Sequence, residues 1–391
     1  MSPYINRCID LNLKLKRRSQ FLFGPRQTGK TRFIREQISK DDIRLNWDLL
    51  DNNLWLSVLS DPQLLIKEVK ARGIKDGIII LDEVQKAPLL LNSVQLLIEE
   101  SDIRFLLTGS SARKLREQGV NLLGGRASWN AMHPLVWPEI KDFDFDLDDI
   151  FFSGLLPSPF LNKEDANDIL YSYTGLYVAE EIQREALVKK LPSFVHFLEI
   201  ASMTSGEQIN YANISSDVGV KKDAVKDWFS ILTDTMLGFE VPSFKLTKKR
   251  KAVEVSKYYL FDVGVMRSLM KAVVPTENMS DYGRFFENYI ATELRAYLDY
   301  SGQINSGKLQ YWRSSSGFEV DFILNERVAI ETKTTKHLTV RDLRGIKALM
   351  EEGLMEKYII VTREDRPYEV ATNITSMPWK YFLTELWAGR I

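Results

Sequence analysis

The sequence predicts an α/β multidomain chain: a parallel-sheet domain over residues 1–150, a helical middle region over 151–275 and a second α/β domain over 276–391. Three observations predict it. Gly24-Pro-Arg-Gln-Thr-Gly-Lys-Thr31 fits G-x-x-x-x-G-K-[ST], between a short buried strand at Gln20–Phe23 and a helix starting at Thr31. Ile78–Leu81 is a continuous apolar run ending in Asp82 and Glu83, as expected of a parallel strand covered on both faces. Asp321 and the triplet Glu331-Thr332-Lys333 sit on two candidate strands joined by the polar turn Asn325-Glu-Arg.

The first element is a phosphate cradle. Gly24, Pro25, Arg26, Gln27, Thr28 and Gly29 fold tightly, so that backbone N–H groups point at phosphate oxygens, and the helix N-terminus adds partial positive charge. Lys30 would reach the β- and γ-phosphates, and the Thr31 hydroxyl would hold Mg²⁺. Asp82, at the carboxyl end of its strand, would orient the metal and its waters. Glu83 would act as general base on the attacking water. The bland alternative makes both acids caps of the next helix.

A third strand, Arg104–Thr108, leads into Thr108-Gly-Ser-Ser111. Thr108 is the candidate contact to the γ-phosphate or the water, with Ser110 as alternative; a plain turn into a helix at Ala112–Gln118 competes with both. Arg126, after Gly124 and Gly125, is either a guanidinium reaching a neighbouring subunit's phosphates or a surface residue. The first reading makes the active species a homo-oligomer.

Together these residues resemble the AAA+ branch of P-loop ATPases. Ser19–Thr31, Leu81-Asp-Glu-Val-Gln85, Leu107-Thr-Gly-Ser-Ser111 and Met132-His-Pro-Leu-Val-Trp-Pro-Glu139 are similar to a family of prokaryotic predicted ATPases with a C-terminal region of poorly understood function. The resemblance implies ATP and Mg²⁺ as cofactors, and hydrolysis.

Composition narrows the remaining classes. A formal net charge of −1 does not advertise a nucleic-acid partner, so local patches must carry that argument. The single cysteine, Cys8, excludes an internal disulfide and a Cys-rich zinc site. No run approaches the ~20 apolar residues of a membrane span. A cytoplasmic protein with no membrane partner is expected. His133, His196 and His337 are scattered and receive no catalytic role.

In the middle, the Asp-rich stretch 141–150 reads as a linker or exposed edge, and residues 165–190 as helical with Glu180, Glu181, Arg184 and Glu185 in solvent. Helices at Phe194–Ser202, Asn213–Val218 and Lys222–Leu232, then strands at Phe239–Phe244 and Lys257–Phe261, follow the order of a winged helix. Lys245–Lys251 would be its basic wing tip, suited to DNA phosphates. A solvated turn or a protein-docking module fits the same pattern.

The C-terminal pattern resembles the restriction-endonuclease-like PD-(D/E)xK fold, with Val320 where the pattern has Pro. The resemblance implies a metal held by Asp321 and Glu331, a second metal or metal water on Glu287 from an upstream helix, and Lys333 positioning the nucleophilic water. Arg313, Lys336, His337, Arg341 and Arg344 could line a DNA groove. The competing reading is an exposed hairpin with a salt bridge. The expectation is an ATP-driven machine acting on DNA, with cleavage possible at the C-terminal site. The alternatives are a nucleotide switch with a silent nuclease-like domain and an ATPase that remodels a protein.

Overall fold

Five strands, β1 (Ser19–Phe23), β2 (Ile43–Asp48), β3 (Asp76–Asp82), β4 (Asp102–Gly109) and β5 (Ala127–Ala131), form one parallel sheet in the order β2-β3-β4-β1-β5. This is a computed structural model, describing residues 3–111, 113, 115, 123–178, 191–302 and 307–391. Side chains sort by the two-residue period of a strand. Phe21, Phe23, Ile79, Leu81, Phe105 and Leu107 pack under helices Asn52–Ser60, Leu64–Ala71 and Leu90–Glu100. Leu22, Ile80 and Leu106 pack on the other face, under helices Leu11–Arg17 and Lys30–Gln37. Because β4 lies between β1 and β3, the residues after β4 emerge between the phosphate cradle and the acids after β3.

In the stretch 141–150, residues 141–146 connect two helices without regular structure and 141–144 are exposed, but the second half is not an edge: it opens a helix. Asp146 caps the helix Leu147–Ser153 by accepting from the Asp149 N–H (2.9 Å), and the Asp149 carboxylate accepts in turn from Asp146 N–H (3.2 Å). Aspartate suits this reciprocal cap as well as it disfavours a strand. Phe145, Leu147 and Ile150 are buried, so this helix, which straddles position 150, is part of the core.

Helices Leu191–Met203, Tyr211–Val218 and Lys222–Asp234 then lead to the antiparallel pair β6 (Gly238–Val241) and β7 (Lys257–Leu260). The helix expected at Ala112–Gln118, together with Leu122, Glu180, Glu181, Arg184 and Glu185, lies wholly or partly outside the described residues.

The last third has one long helix, Asp281–Tyr300, and a six-stranded mixed sheet. Its strands are β8 (Leu309–Arg313), β9 (Glu319–Leu324), β10 (Val328–Thr332), β11 (Lys357–Thr362), β12 (Tyr368–Ala371) and β13 (Ile374–Pro378), in the order β12-β13-β11-β10-β9-β8. The turn from β9 to β10 carries left-handed backbone at Asn325 and Glu326 (φ 54° and 60°). Helix Arg344–Met350 connects the parallel pair β10 and β11. One hydrophobic cluster runs from Leu135 through Phe229 and Tyr259 to Phe286, Phe322 and Leu386, so middle and C-terminal regions share a core. Among the described residues no helix is long and apolar enough to cross a membrane.

Candidate nucleotide and metal-ion sites

The loop Gly24–Gly29 leaves β1 and turns into the helix Lys30–Gln37. Gln27 and Gly29 take left-handed backbone (φ 61° and 90°). Gly24 packs so closely on Met132 that a Cβ there would strike its carbonyl oxygen. The buried Thr28 hydroxyl donates to the Pro25 carbonyl (2.8 Å) and braces the loop from within. Lys30 Nζ donates to the carbonyls of Gly24 (2.6 Å) and Pro25 (3.0 Å), which holds the ammonium over the loop. Thr31 is exposed on the first turn of the helix.

The acids after β3 meet the end of β4. Asp82 Oδ1 accepts from the Thr108 hydroxyl and from the Glu83 N–H (3.1 Å). Thr108 is fully buried, so its hydroxyl orients Asp82. Glu83 adopts a left-handed conformation (φ 58°), a strain typical of residues held for function. Its Oε2 accepts from Gln85 Nε2 (2.6 Å), and Gln85 Nε2 also contacts Ser110 Oγ (3.1 Å). A Cβ at Gly109 would collide with Gln85 and the Phe23 ring, so a glycine there makes the space. Thus Thr108 serves Asp82, and Ser110 sits on the Glu83 side. Gln85 was not foreseen as a functional residue, although the string Leu81–Gln85 contains it.

Arg126 precedes β5, at the end of the sheet opposite the loop that follows β1. Five strand residues span about 17 Å. Its guanidinium pairs with Glu99 (2.6 Å), so it cannot serve the phosphate loop of its own chain from there.

A junction that the sequence did not reveal lies on the other side of the loop. Arg7, buried, donates to the carbonyls of Thr28 (2.7 Å), His133 (2.6 Å) and Pro134 (3.1 Å). Its Nε lies 2.9 Å from Glu139 Oε2. Glu139 accepts in addition from Cys8 N–H (2.8 Å) and Val136 N–H (3.2 Å). His133, given no role above, contacts Asp299 through Nε2 (2.7 Å), and its backbone N–H donates to the Tyr300 hydroxyl (3.1 Å). Further along the same helix, Glu293 accepts from the Trp137 N–H (2.9 Å) and Trp387 Nε1 (2.7 Å). Burial pushes its carboxyl up to about 8.

That helix also carries Glu287, which faces the C-terminal sheet. Asp321 on β9 and Glu331 on β10 are both buried. Asp321 Oδ2 accepts from the Thr332 N–H (2.8 Å) and hydroxyl (2.7 Å). Lys333 Nζ donates to Glu331 Oε1 (2.6 Å). Glu331 Oε2 is buried with no partner. Burial first, then the Asp321 charge, push the Glu331 carboxyl up to about 8. Glu287 is engaged otherwise: Lys257 Nζ lies 3.0 Å from its Oε1, to which the Tyr259 hydroxyl also donates (2.6 Å). Among the described residues no group of three His, Cys, Asp or Glu side chains stands close enough to hold one ion. Asp321 and Glu331 nonetheless fit a hard divalent cation, because the orphaned Glu331 oxygen is an unmet acceptor beside a second carboxylate. Lys257, on β7, was not foreseen.

The basic segment expected as a wing tip is docked on the C-terminal region. Pro242 ends the β6–β7 ladder because it has no N–H, and the chain turns onto β8. Tyr311 N–H donates to the Pro242 carbonyl (3.0 Å), and Phe244 N–H donates to the Tyr311 carbonyl (2.7 Å). Glu352 accepts from the N–H groups of Lys248 (2.8 Å) and Lys249 (2.9 Å). Arg250 donates to the Ala348 carbonyl (2.9 Å). Lys245, Lys248, Lys249 and Lys251 stay exposed. Of the groove candidates, Arg313 pairs with Glu319 (3.0 Å) and Lys336 with Glu277 (3.6 Å), while His337, Arg341 and Arg344 are exposed.

Comparison with known proteins divides the chain in three. Residues 16–141 match the family model described as "AAA domain". Residues 144–276 and 282–382 match two models described as domains of unknown function, DUF8612 and DUF4143. An uncharacterized protein of Haemophilus influenzae is 23% identical over 345 residues, covering 81% of this chain and 83% of that one. Among solved structures, the Aeropyrum pernix ORC1 protein in complex with DNA aligns at TM-score 0.30 and 13% identity, over 68% of this chain and 94% of that one. The signal transduction ATPase PH0952 of Pyrococcus horikoshii, with a tetratricopeptide repeat sensor, aligns at TM-score 0.24 and 16% identity, over 78% of this chain and 49% of that one. At such TM-scores neither structural likeness carries an argument. The family match and the geometry of the loop, Asp82 and Glu83 define the N-terminal third as an AAA-type P-loop ATPase domain.

Proposed function

We propose that the chain is a Mg²⁺-dependent ATPase whose nucleotide state controls a metal-dependent, DNA-directed C-terminal site. The observation that carries this reading is the helix Asp281–Tyr300. Tyr300 and Asp299 touch His133, whose carbonyl shares Arg7 with Thr28 of the phosphate loop. Glu287, twelve residues earlier on the same helix and therefore about 18 Å away, belongs to the C-terminal site. A rigid helix of this kind is the sort of two-ended element through which sites couple.

In the N-terminal site, Gly24–Gly29 and Lys30 bind the phosphates, and Thr31 and Asp82 hold Mg²⁺. Glu83, fixed by Gln85, takes the proton of the attacking water. Arg126 acts only on a neighbouring copy, in a homo-oligomer.

In the C-terminal site, Asp321 and Glu331 hold the divalent ion, and Lys333 orients the water that attacks phosphorus. When bound, such an ion lowers the pKa of its water and neutralises charge on the phosphodiester. The order helix, three-stranded meander, helix, parallel strand supports the nuclease-like reading. The exposed Lys248, Lys249, Arg341 and Arg344 offer phosphate contacts from the middle and C-terminal regions.

A specific observation favours a second reading, a nucleotide switch that binds DNA without cutting it: the Glu287 and Glu331 carboxylates are each already paired with an ammonium. The deciding experiment is a cleavage assay on linear, circular and single-stranded DNA with Mg²⁺ or Mn²⁺, with and without ATP, on wild type and Lys333→Ala. Cleavage lost in Lys333→Ala, with ATP hydrolysis retained, supports the nuclease. No cleavage on any substrate, with salt-sensitive DNA binding, supports the switch.

A further inference from the structure

The C-terminal site contains a cation that the middle region supplies. Lys257 starts β7, outside the C-terminal sheet, yet it is 3% exposed. Its ammonium lies 3.0 Å from Glu287 Oε1 and 2.6 Å from Glu319 Oε1, and 5.4 Å from the centre of the Tyr311 ring. Tyr259, two residues on and therefore on the same face of β7, donates to the same Glu287 oxygen (2.6 Å). The strand thus delivers an ammonium and a phenol to one carboxylate.

The rest of the site is unevenly supplied with positive charge. Glu331 Oε1 has Lys333, but its Oε2 has no partner. Asp321 accepts hydrogen bonds from the two uncharged donors of Thr332 on Oδ2, while the Lys257 and Lys333 charges act on it from farther off. The unmet acceptor is therefore Glu331 Oε2, beside Asp321, whereas the Glu287 oxygen that faces β7 already has its ammonium and its phenol. A metal ion on Glu287 would have to displace a buried ammonium, which would then be left desolvated and with fewer counter-charges.

We propose that Lys257 is a built-in cation of this site: it occupies Glu287 permanently, so that the site takes one divalent ion, on Asp321 and Glu331, rather than two. The proposal rests on the reading of Asp321 and Glu331 as metal ligands. It makes Lys257 and Tyr259 positioning residues, and it makes the β6–β7 hairpin part of the site rather than a separate binding module. Opposite charge held by a side chain does at Glu287 what a second ion would otherwise do, without requiring that ion to be captured.

The test is calorimetric titration of Mn²⁺ into the full, nucleotide-free chain carrying Lys30→Ala, which silences the other site. The expected result is one Mn²⁺ per chain, lost in Asp321→Asn. Glu287→Gln should keep one Mn²⁺ with affinity changed by less than about two-fold, well under the tenfold that 1.4 kcal/mol represents. Lys257→Arg should also keep one, and Lys257→Met, by freeing Glu287, should take up a second. Weakening of Mn²⁺ by Glu287→Gln to the same degree as by Asp321→Asn overturns the proposal while leaving the metal site standing. No Mn²⁺ uptake by the reference chain removes the metal site itself, and the proposal with it. If Lys257→Met fails to fold, Glu287→Gln still decides, since there Lys257 keeps Glu319.

Discussion

Arg7 and Glu139 form a buried ion pair, Nε to Oε2 at 2.9 Å, that fastens the phosphate loop to the segment following β5. Both side chains are almost fully enclosed, at 3% and 1% exposure. Although burial works against the charged form, the Glu139 carboxylate holds the Arg7 guanidinium above its ordinary pKa. Arg7→Ala would strand a buried carboxylate and leave three carbonyls without their donor. A loss of about 3–5 kcal/mol is expected from breaking one side of such a pair. Urea denaturation measures it. The Arg7→Met/Glu139→Gln double variant should lose less than the single variant, and a single variant as stable as wild type would contradict the account.

The Glu83 carboxylate is positioned by Gln85 (2.6 Å) rather than left to rotate. Glu83→Gln should bind ATP with near-normal affinity and hydrolyse it about 10²–10⁴-fold more slowly. Gln85→Ala should also slow turnover, by a smaller factor, with KM for ATP little changed. Steady-state ATPase assays and binding of a fluorescent ATP analogue separate the two effects. Unchanged turnover in Glu83→Gln would remove it as the base.

Buried carboxyls, Glu293 and Asp262 together with Glu331, make stability pH-dependent in a definite direction. Burial pushes Glu293 up to about 8 and Asp262 to about 6, against the N–H donors that each accepts from. A carboxyl whose folded pKa is raised contributes stability that is present below its unfolded pKa and lost as pH rises through the folded value. The surface carboxylates with lowered values, such as the exposed Glu277 and Glu356, act only below the ordinary carboxylate range. The urea midpoint should therefore fall between pH 5 and pH 8.5. A midpoint that stays flat over that interval would show that these carboxyls are ionised at ordinary pKa values in the folded chain.

Glu352, in the turn after the helix Arg344–Met350, fastens the basic connection between β6 and β7 to the C-terminal region. Its side chain is fully buried, and it accepts from two backbone N–H groups. Glu352→Ala should release the segment Lys245–Lys251, at a cost of about 1–3 kcal/mol for the donors left unsatisfied. Limited trypsin digestion reads this directly: the variant should be cut in Lys245–Lys251 well before wild type. Equal rates of cutting would mean that the docking contributes little.

Much of the fold was legible because its determinants are local. The strand before Gly24, the apolar run Ile78–Leu81 and the meander around Asn325-Glu-Arg announce themselves by period, burial and turn chemistry. The phosphate loop was legible for the same reason. What was hidden depends on contacts between distant residues. Arg7 meets Glu139, and Lys257 meets Glu287, across long stretches of sequence, and each residue alone is an ordinary surface type. Only the second half of the Asp-rich stretch was hidden, because aspartate at Asp146 and Asp149 signals a helix cap as readily as a loop. The docking of Lys245–Lys251 was hidden because its counterpart, Glu352, is distant in sequence.

The central claim is that the helix Asp281–Tyr300 joins the two sites. The most direct measurement is the ratio of Mg²⁺-dependent DNA cleavage rates with and without ATP, in wild type and in Tyr300→Phe, which removes the hydroxyl that receives the His133 N–H. A coupled pair of sites predicts a ratio differing from one by about 5-fold or more in wild type, and moving towards one in Tyr300→Phe with ATPase activity retained. Cleavage that proceeds at the same rate with and without ATP in wild type would contradict the account.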